Sequence, residues 1–366
     1  MRVQKCVLCM VSLAVVELAA TSSAVPPEYT VVDLGTLGGP QSAAYAINNR
    51  GEVVGWADSA VYEAIHPFLW TESTGMTDLG TLGGSWGWAT AINDAGQIAG
   101  SSIPTGGTDL QAFIYENGAM SSLGTLGHPA SHARSINSQG QVVGISYIHG
   151  GVSQAFLWQN GVMVGLPSSG GFSTDAWGIN DLGHIVGRRS LQDENRACIW
   201  LDGVVYDLPD LGETNSLASD INENGQIAGI VGWPCQNALW DEGEVTSLPN
   251  LPGYVGSLNA PSINSEGVVV NELWTGRSQH AVLWEDGVGY DLNDLIPPDS
   301  GWVLELAIDI NDVGQIVGQG YHDGVTRAFL LNPVPEPAAS CLFLLGSAWA
   351  LGRRRSPRRE RFLRRS

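Results

Sequence analysis

Few residues in this sequence stand at spacings that do chemistry. His128 and His132 are four apart, a separation at which two imidazoles can share a metal, but they flank Pro129 in a loop, so no metal is expected. The turns beginning Asn93-Asp94, Asn180-Asp181 and Asn311-Asp312 have the look of calcium loops without the alternating oxygens that calcium needs; turn formation explains them better. Asp175 and Glu305 are the carboxylates a glycosidase-type acid pair would draw on. There is no HExxH, and the Cys-x-x-Cys at Cys6–Cys9 falls at the start of the N-terminal apolar stretch. Residues 25–352 contain no Lys, which removes P-loop nucleotide chemistry and lysine Schiff bases. Cys198 and Cys235 are the cysteines of that span; export would permit a disulfide, yet Cys198 occupies an apolar strand slot and reads as core. No catalytic residue and no cofactor is assigned.

Charge narrows the classes further. The 366 residues carry a formal charge of −20, from 17 basic and 37 acidic side chains. Most of the basic ones crowd the two ends, so the span between them is more acidic still, near −28. Nucleic-acid binding needs a basic face and is excluded. An acidic body repels anionic partners and favours a neutral or cation-bridged one.

The elements that would position any site come from a repeat. Ile-Asn-x-x-Gly recurs with Asn at 48, 93, 137, 180, 222, 264 and 311, a period in the range of propeller blades. Each period reads as four short strands. In the second, strand a (Gly84–Asn93) turns at Asn93-Asp94-Ala95-Gly96 into strand b (Gln97–Ser101). Strand c (Gln111–Tyr115) then meets the hairpin signal Asn117-Gly118 and strand d (Ala119–Leu123). Ala stands three residues before each Ile (44, 89, 133, 176, 218, 260, 307), as a crowded inner strand requires. The aromatic of strand c (Trp70, Tyr115, Trp158, Trp200, Trp240, Trp284) reads as core between diverging blades. With 47 Gly and 13 Trp, the composition suits tight turns between aromatic strands.

The array is offset. It opens with a lone strand d, Tyr29–Leu34, and ends with strands a, b and c, stopping at Ala328–Leu331. That predicts an all-β fold over 25–333: a single seven-bladed β-propeller of four-stranded antiparallel blades. The N-terminal strand would complete the last blade and hide two edges. An open β-solenoid would not need this offset.

Propellers usually bind where d–a loops converge. Repeats that agree elsewhere differ here, at Trp86, Trp88, His132, Arg134, Asp175, Trp177, Asn259, Trp302 and Glu305, which are the candidate ligand-binding residues. Tryptophan beside carboxylates suits sugar stacking with hydrogen bonds. A noncatalytic glycan- or protein-binding module is therefore expected; the alternatives are a carbohydrate-active enzyme using mouth carboxylates, or side chains that only plug the channel.

The ends read as addresses. Arg2 and Lys5 precede apolar Cys6–Ala20, with Ser22 and Ala24 placed for cleavage before Val25, so 1–24 reads as a signal peptide. At the other end Pro335-Glu336-Pro337 precedes apolar Ala338–Leu351 and then Arg353, Arg354 and Arg355, a short membrane-inserting helix with a cytoplasmic basic stop. This order resembles the PEP-CTERM sorting tail of Gram-negative bacteria over residues 334–366. The resemblance implies an exosortase as processing partner, membrane anchoring before processing, and a final place in the cell envelope or outside it. The repeat, with His66-Pro67-Phe68, Gln154-Ala155-Phe156, His280-Ala281-Val282 and Arg327-Ala328-Phe329, resembles the HAF repeat of bacterial extracellular proteins. That likeness implies an extracellular protein and supplies no catalytic residues.

Overall fold

The computed structural model describes residues 26–335, apart from 61–63, 149, 193 and 233–234. The signal segment and the tail from Glu336 onward, with Pro337, Ala338–Leu351 and Arg353, Arg354 and Arg355, lie outside the described residues. Among the described residues no helix is long and apolar enough to cross a membrane.

The fold is all-β, with one 3-10 turn at Leu292–Asp294. Consecutive strands pair antiparallel in fours: Ser131–Ile136, Val142–Ile148, Val152–Gln159 and Val162–Gly165 form one such sheet. Two neighbouring sets, within 38–78 and 83–122, are joined by a single parallel bridge between Ile65 and Trp86. The first strand, Tyr29–Asp33, pairs with the last, Val325–Pro333, with Val31 opposite Leu331 and Asp33 opposite Phe329. The c–d hairpins follow their turn chemistry: Asn117 and Gly118 take φ of 51° and 78°, the left-handed pair that a two-residue turn between twisted strands demands.

The repeated Asn explains itself. Its side-chain oxygen accepts the backbone N–H two and four residues on, as Asn93 does from Ala95 (3.1 Å) and Gln97 (3.0 Å), which shapes the a–b turn. Its amide donates to the side chain four residues on, Gln97 Oε1 at 2.8 Å, and to the backbone oxygen of the next repeat's Asn, Asn137 O at 2.9 Å. The same inter-repeat bond runs from Asn48 to Asn93, Asn137 to Asn180, Asn180 to Asn222, Asn222 to Asn264 and Asn264 to Asn311. Asn311 then donates to Asn48 O at 3.0 Å. Every one of these Asn is buried, so the bonds lie where an unmade one is costly. The oxygens and amides that resembled a calcium loop are committed to the fold.

The Ala row is equally physical. Ala44, Ala89, Ala133, Ala176, Ala218 and Ala307 each face a strand-b glycine: Gly55, Gly100, Gly144, Gly187, Gly229 and Gly318. A Cβ on Gly187 would fall on the carbonyl oxygen of Asp175, so strands a and b approach closer than any larger pair allows. The sixth repeat departs: Asn271 takes the glycine slot and strand a shrinks to Ser262–Ile263. Buried Glu272 Oε1 instead holds the preceding loop through Leu258 N (2.6 Å) and Asn259 N (3.1 Å).

Strand-c aromatics pack the core between sheets. Trp200, Trp240 and Trp284 are buried and donate to Pro167 O, Pro209 O and Pro249 O in the preceding repeat. Cys198 is buried and, like Cys235, free; the two form no disulfide. In the HAF slot, His66 and His280 bond the strand-d carboxylates Asp78 and Asp291 of their own sheets, each at 2.8 Å.

Candidate functional site

Every inner strand but the short sixth carries a β-bulge two residues before its Ile: pairing jumps from Ala44 to Ala46, Ala89 to Ala91, Ala133 to Ser135, Ala176 to Gly178, Ala218 to Asp220 and Ala307 to Asp309. A bulge leaves one residue unpaired and re-aims its side chain. The unpaired residues are Tyr45, Thr90, Arg134, Trp177, Ser219 and Ile308; Pro261, which has no N–H to offer a ladder, holds the same place in the sixth repeat. All seven line one cavity of about 980 Å³. The bulge therefore converts seven separate strands into one wall.

Four of the candidate residues line that cavity: Trp88, Arg134, Trp177 and Asn259. The Arg134 guanidinium lies over the Trp177 ring, 4.2 Å from its centre. Burial pulls the Arg134 pKa down from its ordinary value, with Asp175 opposing. Arg134 Nε and Trp177 Nε1 are buried without a hydrogen-bond partner. Tyr45, whose hydroxyl accepts from Trp56 Nε1 at 3.0 Å, stands in the same wall.

The other five candidates lie elsewhere. Trp302 is not an exposed mouth residue: it is 9% exposed and stacks on His322 with ring centres 4.5 Å apart. His132, like His128, packs edge-on against Tyr147; burial and Arg134 lower the pKa of His132. Asp175 is committed to Arg188 (2.8 Å) and Ser153 (2.7 Å). Burial raises the pKa of Glu305, which is not among the residues lining the cavity. Trp86 is 45% exposed, outside the cavity lining.

Sequence reasoning missed a different pair of acids. Asp220 and Asp309 occupy the slot directly before the Ile, where the other repeats have Ala46, Ala91, Ser135, Gly178 and Ser262. A carboxylate in a slot otherwise restricted to small residues was the available signal. Both line the cavity, and both lie 2.8 Å from Ser262 Oγ. A hydroxyl has one proton to donate. That proton cannot make a full bond to both, and protonation of one carboxyl would complete the second contact. Burial, reinforced by Asp220, pushes Asp309 up to about 7, and burial raises Asp220. Backbone N–H groups take two further acceptor sites on each: Ile221 and Ile263 on Asp220, Ile310 and Ile47 on Asp309.

A second cavity of about 330 Å³ lies over the a–b turns and is lined by Asp94, Asp181, Glu223 and Asp312. These acids accept backbone N–H bonds from neighbouring turns, Asn49 to Asp94 and Ser138 to Asp181 at 2.8 Å, Asp181 to Glu223 and Ser265 to Asp312 at 2.9 Å. Among the described residues no three His, Cys, Asp or Glu side chains gather as metal ligands.

No family model and no curated protein matches the chain. Among solved structures it is similar to YCF48 bound to a D1 peptide, at 13% identity and TM-score 0.52, covering 85% of this chain and 97% of that one. It is also similar to a virginiamycin B lyase from Staphylococcus aureus, at 11% identity and TM-score 0.50, covering 84% and 100%. TolB from Acinetobacter baumannii aligns at 15% identity and TM-score 0.46 over 82% of this chain, which spans 65% of TolB's length. At such identities the likeness speaks for the fold alone, and the fold is that of β-propeller proteins.

Proposed function

We propose that the chain is a closed seven-bladed propeller, exported and noncatalytic, that binds a glycan in its axial cavity. The observation that carries the binding reading is the convergence of Trp88, Trp177, Arg134 and Asn259 on one cavity of about 980 Å³, within the size range of ligand sites. Closure is supported by the pairing of first and last strands and by the Asn311–Asn48 bond. Export, a HAF-repeat identity, and exosortase processing of a PEP-CTERM tail in the cell envelope of a Gram-negative bacterium belong to the same proposal. They are supported by the sequence patterns of the two ends and the repeat. Many copies held at one surface would add avidity to weak single sites.

The second reading, a carbohydrate-active enzyme, is favoured by one observation: the desolvated Asp220–Asp309 pair on the cavity wall. Against it stands the commitment of three of about four acceptor sites on each carboxylate to backbone N–H groups and Ser262.

The test is a glycan array probed with the full chain and with a Trp88→Ala, Trp177→Ala variant. The parent is expected to bind and the variant to bind at least about tenfold more weakly, because each indole offers a stacking face. Equal binding by both, or none by the parent, returns these residues to the role of channel plug. Release of reducing sugar that disappears in Asp309→Asn would establish the enzyme instead.

A further inference from the structure

Resting on the glycan reading, we infer that the axial cavity selects a sugar acid, with Arg134 as the anchor for the ligand's carboxylate. Arg50, Arg188, Arg189, Arg196 and Arg327 each have an acidic partner within 4.0 Å. Among the described residues Arg134 has no ion pair and no hydrogen bond, although it is recessed in the cavity wall and its Nε is buried. Its nearest candidate, Asp175, is taken by Arg188 and Ser153. A buried guanidinium without a counter-charge is unfavourable, and the planar fork of Arg matches a carboxylate bidentately. Trp177 lies beneath the guanidinium, and Trp88 stands in the same wall.

The other wall has the opposite character. Asp220 and Asp309 bring acidic groups to it, each with about one acceptor site left beside its bonds to Ser262 and backbone N–H groups. The cavity is thus cationic at one place and anionic at another. A ligand that fits both must carry a carboxylate and, away from it, hydroxyl donors. A uronic acid has both on one ring; a neutral sugar leaves Arg134 unpaired, and a simple organic acid leaves the aspartates without donors. The acidic body argues for a neutral ligand only at long range, because salt screens charges beyond about 8 Å at physiological ionic strength. Inside the cavity the local guanidinium decides.

The experiment titrates the full chain calorimetrically with a galacturonate trisaccharide and with its carboxyl-reduced neutral counterpart, at low and high salt. The acid is expected to bind at least about tenfold more tightly than the neutral sugar, as a charge-assisted bidentate pair would provide, with the margin narrowing in salt. Arg134→Gln is expected to erase the margin, so that within this variant the acid binds no more tightly than the neutral sugar, and Arg134→Lys to keep part of it. Equal affinities in the parent, or a margin that survives Arg134→Gln, would overturn the anchor while the glycan reading stands. Binding of neither sugar, with no hit on the array, would overturn both. If Arg134→Gln melts early, the parent's acid-to-neutral ratio and its salt dependence still decide.

Discussion

Asn137 shows how much one side chain holds. It accepts from Gln139 N and Gln141 N and donates to Gln141 Oε1 and Asn180 O. Asn137→Ala strands these buried partners together, so a loss of about 2–4 kcal/mol is expected in urea unfolding. Asn137→Asp keeps the acceptors but sets an oxygen against Asn180 O, so it should not restore the parent's stability. Asp309 gives a pH signature. Its folded pKa of about 7 lies above the ordinary 3.8, so the native state holds an extra proton between those values. Its contribution is fully present below about pH 4 and is lost as pH rises through 7. Asp309→Asn, neutral throughout, should therefore gain on the parent across that window, by an amount of order 1–4 kcal/mol. Melting curves from pH 4 to 8 check it; a difference that stays flat with pH would refute the raised pKa of Asp309.

At the scale of the element, the inner strand does two things within one turn of sequence. Its Ala packs against a strand-b glycine, and the next residue bulges toward the cavity. Ala176 is fully buried opposite Gly187, with no room for a longer side chain. Ala176→Leu is expected to destabilise by about 1–3 kcal/mol through overpacking, read as a lowered melting temperature. It should also disturb the Trp177 bulge next to it, so the proposed glycan binding should weaken more than melting alone suggests. A neutral melting shift would mean the strand tolerates a wider a–b spacing than the glycine implies. The bulge hydroxyls brace neighbours: Ser219 Oγ donates to Pro261 O at 2.6 Å, and Thr90 Oγ1 to Ala133 O at 3.1 Å.

At the scale of the molecule, the first strand is the outer strand of the last sheet, joined residue by residue from Tyr29–Pro333 to Asp33–Phe329. Leu34 then packs among Ala44, Phe68 and Ala328, in a core that includes side chains from both ends of the chain. Removing Tyr29–Leu34 exposes the edge of Val325–Pro333 and empties part of that core. The expected outcome is a broadened, lower thermal transition with loss of two-state character, measured by calorimetry against circular dichroism. A truncated chain that melts as sharply and as high as the parent would show that the terminal pairing is dispensable.

The sequence by itself determined the strand unit. The period, the Asn-Gly and Asn-x-x-Gly turns, the Ala row and the offset ends are local or repeated signals, and local geometry decides them. Thus Asn117-Gly118 turns as its φ preference demands, and Tyr29 finds Pro333 because the array lacks one outer strand. Only the tertiary structure decided which side chains meet. A bulge breaks the two-residue alternation from which inward and outward faces are read, so Arg134 and Trp177 enter the cavity while Asp175, two residues before Trp177, turns to Arg188. Trp302 and Trp88 look alike as loop-proximal tryptophans, yet a histidine on the paired strand, His322, draws one into the core. Asp220 and Asp309 come from different repeats and meet only through Ser262 of a third, because the inner strands of all three line one cavity. Strand existence follows from short-range backbone chemistry; the composition of the site follows from how the repeats are arranged around one another.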